Sequence, residues 1–246
     1  MQTTIDGLLN RRVMLEQPAN GYRVAVDTVL LAASVPAEPG QKIIDLGCGV
    51  GGAMLCVACR VPNVILTGVE IQDDFVGMCK HNIARNAFAK HVNVFGADIT
   101  DLPERLNDIF DHVIMNPPYH DEIRHDVSVD EQKRKANAIR EGELDLWIEA
   151  ANNLLQSSGV MTLIYRADRL NQILDLLHDK FGLVEVLSLR SKISLPPKRI
   201  IVRAHKAGDF HAQFCQTLTL HEANGSYTEA VEGVLRHMKP MEFVHA

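Results

Sequence analysis

The run KIIDLGCGVGG, residues 42–52, narrows the folds open to this chain more than any other stretch. A short apolar segment ends in glycines at 47, 49, 51 and 52, and the small and apolar residues from Ala53 to Val61 then suit a helix. Glycine tolerates positive φ and lets a ligand approach the backbone, while a following helix N-terminus favours anionic groups. Strand, glycine loop and helix begin a βαβ unit, and the chain repeats that alternation. VILTGVE (64–70) reads as a strand and 73–87 as a helix with Val76, Cys79, Ile83 and Ala84 as its apolar positions. VNVFGAD (92–98) and FDHVIMN (110–116) are further strands, followed by a helix over about 142–156 with Leu144, Trp147, Ile148, Ala151 and Leu155 on one face. GVMTLIY (159–165), a helix near 168–180, LVEVLSLR (183–190) and RIIVRAHK (199–206) complete the pattern.

Such alternation implies an α/β fold, Rossmann-like, with about seven strands in a mostly parallel sheet and helices on both faces. The last two strands are joined only by SKISLPPK, so they are expected to form a terminal antiparallel hairpin. Neither an internal repeat nor a low-complexity linker interrupts the chain. The expectation is one domain over 1–246: an N-terminal extension (1–40), a sheet core (41–206) and a strand/helix tail (207–246) with a helix near 226–238.

Composition removes several alternatives. A formal charge of −6 argues against coating nucleic acid by bulk attraction, although a local basic face remains possible. No apolar run approaches a membrane span, and the opening MQTTIDGLLNRRVMLEQP does not read as a signal peptide, so the expected compartment is the cytoplasm. The five cysteines are scattered; Cys56-x-x-Cys59 falls on a helix with no second pair at zinc spacing, so no metal site is expected. His112, His120 and His125 lie near one another without ligand spacing.

The glycine loop admits two cofactor readings. Gly47, Gly49 and Gly52 satisfy G-x-G-x-x-G, and Glu70 ends the next strand, as in dinucleotide enzymes that transfer hydride. Asp45 tilts against this, since a pyrophosphate gains little from a carboxylate so close. D-x-G-x-G-x-G, here Asp45, Gly47, Gly49 and Gly51, resembles the loop of class I S-adenosylmethionine (AdoMet) methyltransferases. The resemblance implies that the loop lies against the methionine part of the cofactor, that Glu70 takes the ribose hydroxyls, and that Asp98 contacts the adenine amine. It extends the expected cofactor contacts to Ile71, Ile99 and Asn116. Three carboxylates at successive strand ends suit a ligand with hydroxyls, an exocyclic amine and an ammonium group.

At the end of the fourth strand stands Asn116-Pro117-Pro118-Tyr119. It resembles the [DNS]-P-P-[YFW] signature of methyltransferases that act on adenine N6, cytosine N4, guanine N2 or a glutamine amide. An exocyclic amine is a poor nucleophile because its lone pair is delocalised. The Asn116 side-chain oxygen and the Pro117 carbonyl can accept its hydrogen bonds and return density to nitrogen, and the prolines hold these acceptors rigid. Pro118 borders the substrate, and Tyr119 can stack on it. Pro196-Pro197, which has neither the preceding asparagine nor a following aromatic, reads only as a hairpin connection.

Glutamine-methylating enzymes usually carry a helical domain ahead of the loop, whereas only 44 residues precede Asp45. GYRVAVDTVLLAAS (21–34), RIIVRAHK and YTEAVEGVLRHM (227–238) resemble segments of the bacterial tRNA1(Val) adenine-37 N6-methyltransferase family, so the resemblance covers most of the chain and implies a tRNA partner. Asp27 reads as an N-cap for a helix beginning near Thr28. Val184–Lys206 carries Arg190, Lys192, Lys198, Arg199, Arg203 and Lys206 against Glu185 alone, and Arg199 and Arg203 are the expected RNA contacts. Lys133, Arg134, Lys135 and Arg140 suggest a basic lid, and Arg11, Arg12 and Arg23 precede the motif. No membrane and no obligate protein partner is implied. Methylation of guanine N2 or of protein glutamine, and an AdoMet- and RNA-binding module without turnover, remain alternatives.

Overall fold

The computed structural model describes residues 2–21, 23–107, 109–118 and 143–245. Among these, a β1–β2 hairpin (Thr3–Leu8, Val13–Pro18) and helix α1 (Val26–Ser34) precede the sheet. The alternation then runs β3 (Lys42–Leu46), α2 (Gly52–Arg60), β4 (Ile65–Glu70), α3 (Asp73–Arg85), β5 (Val92–Gly96) and β6 (Phe110–Met115). It continues through α4 (Glu143–Leu154), β7 (Leu155–Arg166), α5 (Leu170–Leu177), β8 (Leu183–Arg190) and β9 (Arg199–His205). Short strands β10 (His211–Phe214) and β11 (Leu218–Thr219) and helix α6 (Glu229–His237) follow.

The sheet order is β5-β4-β3-β6-β7-β9-β8-β10, with β11 also beside β8. Strands β3 to β7 pair in parallel and β9 runs antiparallel to both neighbours, so the seven strands and the terminal hairpin are as the sequence pattern implies. Eight connecting residues, 191–198, are too few for a parallel crossover, which forces β9 to turn back. Short β10 and β11 widen the sheet beyond that expectation by adding in parallel to the exposed side of β8.

Each face of the sheet buries its own apolar set. Ile43, Ile114, Ile164 and Ile201 pack with residues of α1, α2, α3 and α6, and Ile44, Leu46, Val113, Met115 and Leu163 pack with Leu144, Ile148, Ala151 and Leu154 of α4 and Ile173 of α5. The period-2 alternation along β3, β6 and β7 is what sorts them.

Two arginines close the C-terminal end of α1, whose last carbonyls have no partner within the helix. Arg60 Nη2 donates to the Ala32 and Val35 carbonyls at 3.0 and 2.6 Å. Arg203 Nε donates to Ser34 O at 2.6 Å, and its guanidinium lies 3.6 Å from the Phe243 ring centroid. This corrects the expectation that Arg203 meets RNA: on β9 it shares the face covered by α1, and burial lowers its pKa to about 10. A second correction concerns Asp27. The helix begins at Val26 with Ala25 as its N-cap, and Asp27 stands in the first turn, paired with Arg199 at 3.2 Å. Arg203→Ala should therefore lower stability by about 1–3 kcal/mol, the cost of a lost charge-assisted bond and an orphaned carbonyl. Chemical denaturation reads this, and the RNA affinity of the folded fraction should not change.

Candidate functional site

The parallel register brings four strand ends to one edge. Leu46 pairs with both Val69 and Met115, so Gly47, Glu70 and Asn116 follow on neighbouring strands, and Glu70 itself is opposite Gly96, two residues before Asp98. The glycine loop turns there through left-handed backbone, with φ of +64° at Gly47, +56° at Gly49 and +91° at Gly51. A Cβ at Gly47 would stand 2.5 Å from Trp147 Cη2, and one at Gly51 2.8 Å from Cys79 Sγ. A Cβ at Gly49 would meet nothing within 4 Å, so the middle of the loop borders open space on the side where a ligand can reach the backbone.

Carboxylates hold this loop in place. Glu70 Oε2 accepts the Gly49 N–H and Oε1 the Gln72 N–H, both at 2.9 Å. Asp45 is 3% exposed and accepts the Met54 N–H at 3.2 Å in the first turn of α2. Burial, with the nearby Glu70 charge, pushes the Asp45 pKa up to about 8 despite that bond. Asp98 is exposed and accepts from both the N–H (2.9 Å) and the hydroxyl (2.8 Å) of Thr100 in a local turn. Between these acids Ile71 is 61% exposed and Ile99 half-buried, an apolar surface of the kind a flat heterocycle covers.

At the end of β6, Asn116 is half-buried, Pro117 buried and Pro118 exposed. Tyr119 lies outside the described residues, as do His120, His125 and the lysines and arginines at 133, 134, 135 and 140. Arg199 stands at the same edge, since it pairs with Arg166 at the carboxyl end of β7, whereas Arg203 lies four residues towards the opposite edge. Cys56 is buried and Cys59 touches Met238 Sδ at 3.6 Å, while His112 Nε2 bonds Gln41 at 2.8 Å. Among the described residues, no group of three or more His, Cys, Asp or Glu side chains could hold a metal ion.

The methyltransferase small domain family matches residues 22–195. The chain belongs to this family. A protein of Shewanella baltica (strain OS185) named tRNA1(Val) (adenine(37)-N6)-methyltransferase is 26% identical over 222 residues, which cover 88% of this chain and 91% of that one. Another of that name, from Glaesserella parasuis, is 26% identical over 230 residues, covering 91% and 93%. The crystal structure of a predicted O-methyltransferase from Agrobacterium tumefaciens superposes with a TM-score of 0.73 at 25% identity, over 88% of this chain and 98% of that one.

The protein is accordingly an AdoMet-dependent methyltransferase, and the edge fits that cofactor. Gly49 leaves room at the backbone, exposed apolar surface adjoins two acids, and Asp45 is a buried acid two residues before the first glycine. The hydride-transfer reading is set aside by the family.

Sequence reading missed Asn82 and Asn86. On α3, Asn82 is 0% exposed; its Oδ1 accepts the Glu16 N–H at 2.7 Å, and its Nδ2 donates to Glu16 O at 2.9 Å and to Val50 O at 3.0 Å. Asn86, one turn on, exchanges two 2.8 Å bonds with the Met14 backbone. Together the two amides act as a pairing partner for β2, and Asn82 alone also grips the glycine loop. The signal was an asparagine three residues after Cys79, within the apolar stripe of a helix that disfavours it.

Two outcomes follow from these contacts. Asn82→Ala should lower the melting temperature and weaken AdoMet binding roughly tenfold, as expected for losing about one buried bond. Asn86→Ala should lower the melting temperature while AdoMet affinity stays at the wild-type value, which calorimetry distinguishes. If Asp45 takes the cofactor's ammonium group as a carboxylate, AdoMet binding should tighten from pH 6 to 7.5, where an α-amine stays mostly protonated, and should release a proton. Titrations in buffers of different ionisation enthalpy measure that release, which Asp45→Asn should abolish. For the unliganded fold the sign is opposite: burial makes this acid costly to ionise, so stability is greatest below about 3.8 and falls as pH rises to about 8.

Proposed function

We propose that the enzyme transfers the AdoMet methyl group to an exocyclic amine, the N6 amine of an adenine in tRNA. The observation that carries this is the Asn116-Pro117-Pro118-Tyr119 sequence at the end of β6, directly beside the glycine loop. The Asp45 carboxylate would hold the cofactor's ammonium group and Glu70 its ribose hydroxyls. Asp98 would meet the adenine amine, with Ile71 and Ile99 against the ring. When bound, the cofactor supplies a methyl group on an electron-poor sulfur.

The chain's own part is to present the amine. The Asn116 side-chain oxygen and the Pro117 carbonyl accept the two N–H bonds, which concentrates the lone pair on nitrogen and aims it along the transfer line. Pro117 is buried and its φ is fixed by the ring, so little reorganisation accompanies the reaction. Tyr119 serves as the stacking surface for the unstacked base. After transfer the nitrogen carries an extra proton that water can remove, so no carboxylate is required at position 116. A hydroxyl acceptor would instead require a base to take its proton before or during attack, and the amide of Asn116 is not one. On this reading the acceptor differs from that of the Agrobacterium tumefaciens protein, a predicted O-methyltransferase.

The tRNA assignment is supported by relatives matched over nine-tenths of their length and by Arg199 at the reaction edge. No helix among the described residues is long and apolar enough to cross a membrane, and we infer action in the cytoplasm, where tRNA is available. In a filter assay with labelled AdoMet and an unmodified tRNA1(Val) transcript, Asn116→Ala should cut kcat at least 100-fold, in the range expected for losing a preorganised acceptor. AdoMet affinity should stay within about twofold of wild type. Undiminished turnover in that variant would remove Asn116 from the chemistry, and a wild-type enzyme that binds AdoMet and tRNA without turnover would make the chain a binding module.

A further inference from the structure

The loop between β8 and β9, residues 191–198, ends at the same edge as Asn116, because its flanking residue Arg199 is paired with Arg166 at the carboxyl end of β7. Its base is fixed on three sides. Lys198 N donates to Leu189 O at 3.1 Å, His221 N to Ser191 O at 2.9 Å and Ala167 N to Lys198 O at 3.1 Å. Its tip is closed by a turn in which Leu195 N donates to Lys192 O at 2.9 Å. That turn lifts Ile193 to 75% exposure and leaves Leu195 43% exposed, with exposed Pro196 and Pro197 behind them. Apolar groups on a well-anchored tip are held in water at a cost proportional to their area, which a partner would recover.

The charge around the tip says what kind of partner. Arg190, Lys192, Lys198 and Arg199 flank it, Arg199 being paired with Asp27, and no Asp or Glu occurs in the sequence between Glu185 and Asp209. Strands stand about 4.8 Å apart, so β9 and β8 lie two and three steps, roughly 10 and 14 Å, from the strand that carries Asn116. That separation suits nucleotides next to a target base and is too short for a remote anchor.

Resting on the RNA reading above, we propose that this loop is a flanking-nucleotide site. Ile193 and Leu195 pack against the faces of unpaired bases beside the target, and Lys192 and Lys198 neutralise their phosphates. The target base is thereby kept out of the stack, as apolar side chains do when they wedge between bases in other nucleic-acid complexes. An anionic membrane surface offers similar chemistry, but nothing about it would require the loop to stand at the reaction edge.

The test uses the full chain and an unmodified tRNA1(Val) transcript, with dissociation constants measured from 50 to 200 mM salt. Ile193→Ser should weaken binding and raise KM for tRNA by about fivefold or more, with the salt slope unchanged, since an apolar contact releases no counterions. Lys192→Ala and Lys198→Ala should each reduce the magnitude of that slope by about 0.7–0.9. AdoMet affinity and melting temperature should match wild type in all three. If Ile193→Ser binds and methylates tRNA as wild type does, the loop is no such site and the tRNA assignment still stands. If wild type methylates no tRNA, both fall. Binding to phosphatidylserine vesicles that needs Ile193, with RNA affinity indifferent to it, would also overturn the proposal.

Discussion

Glu70 is the joint of this enzyme. One carboxylate, at the end of β4, accepts the N–H of Gly49 with one oxygen and of Gln72 with the other, so the glycine loop and the start of α3 are referred to the same strand. A loop with three left-handed residues has many shapes open to it in isolation. The Glu70 clasp selects one, the Asp45 bond to Met54 sets where α2 departs, and Asn82 fastens Val50 from the other side. The loop is thus held in one shape by buried acceptors and amides, and a Cβ at Gly49 would face open space.

The same economy extends to the N-terminal hairpin. Its strand β2 lies outside the main sheet, yet its Met14 and Glu16 backbone groups are satisfied by side-chain amides of α3. Asn82 bonds both the hairpin and the loop, and Val13 and Leu15 of β2 pack in the same core as Cys48 and Val50. Helix α1 makes a comparable span, with Asp27 paired to Arg199 at the reaction edge and Ser34 bonded to Arg203 near the other.

Much of this was legible in the sequence. Apolar runs of strand length separated by helical periodicity predict β3 to β9 closely, and the short loop before Arg199 predicts the antiparallel return. The acids and glycines of the loop stand out because their types and spacing are rare. Long-range side-chain bonds were less visible: nothing local distinguishes Arg203, which reaches a helix end, from Arg199 at the edge. The alternation along β9 places both on one side, so only the position of α1 separates their roles. Strands β10 and β11 are too short and polar to signal themselves, and they form because β8 offers an open edge.

On the proposed reading, Asn116 would give the edge its chemical direction: an amide accepts from an amine and cannot deprotonate a hydroxyl. The most direct test of that claim is nucleoside mass spectrometry of total tRNA from cells with and without the gene. One N6-methyladenosine signal should disappear on deletion and return with the wild-type chain. Loss of an O-methylated nucleoside instead, or an unchanged tRNA nucleoside profile, would contradict it.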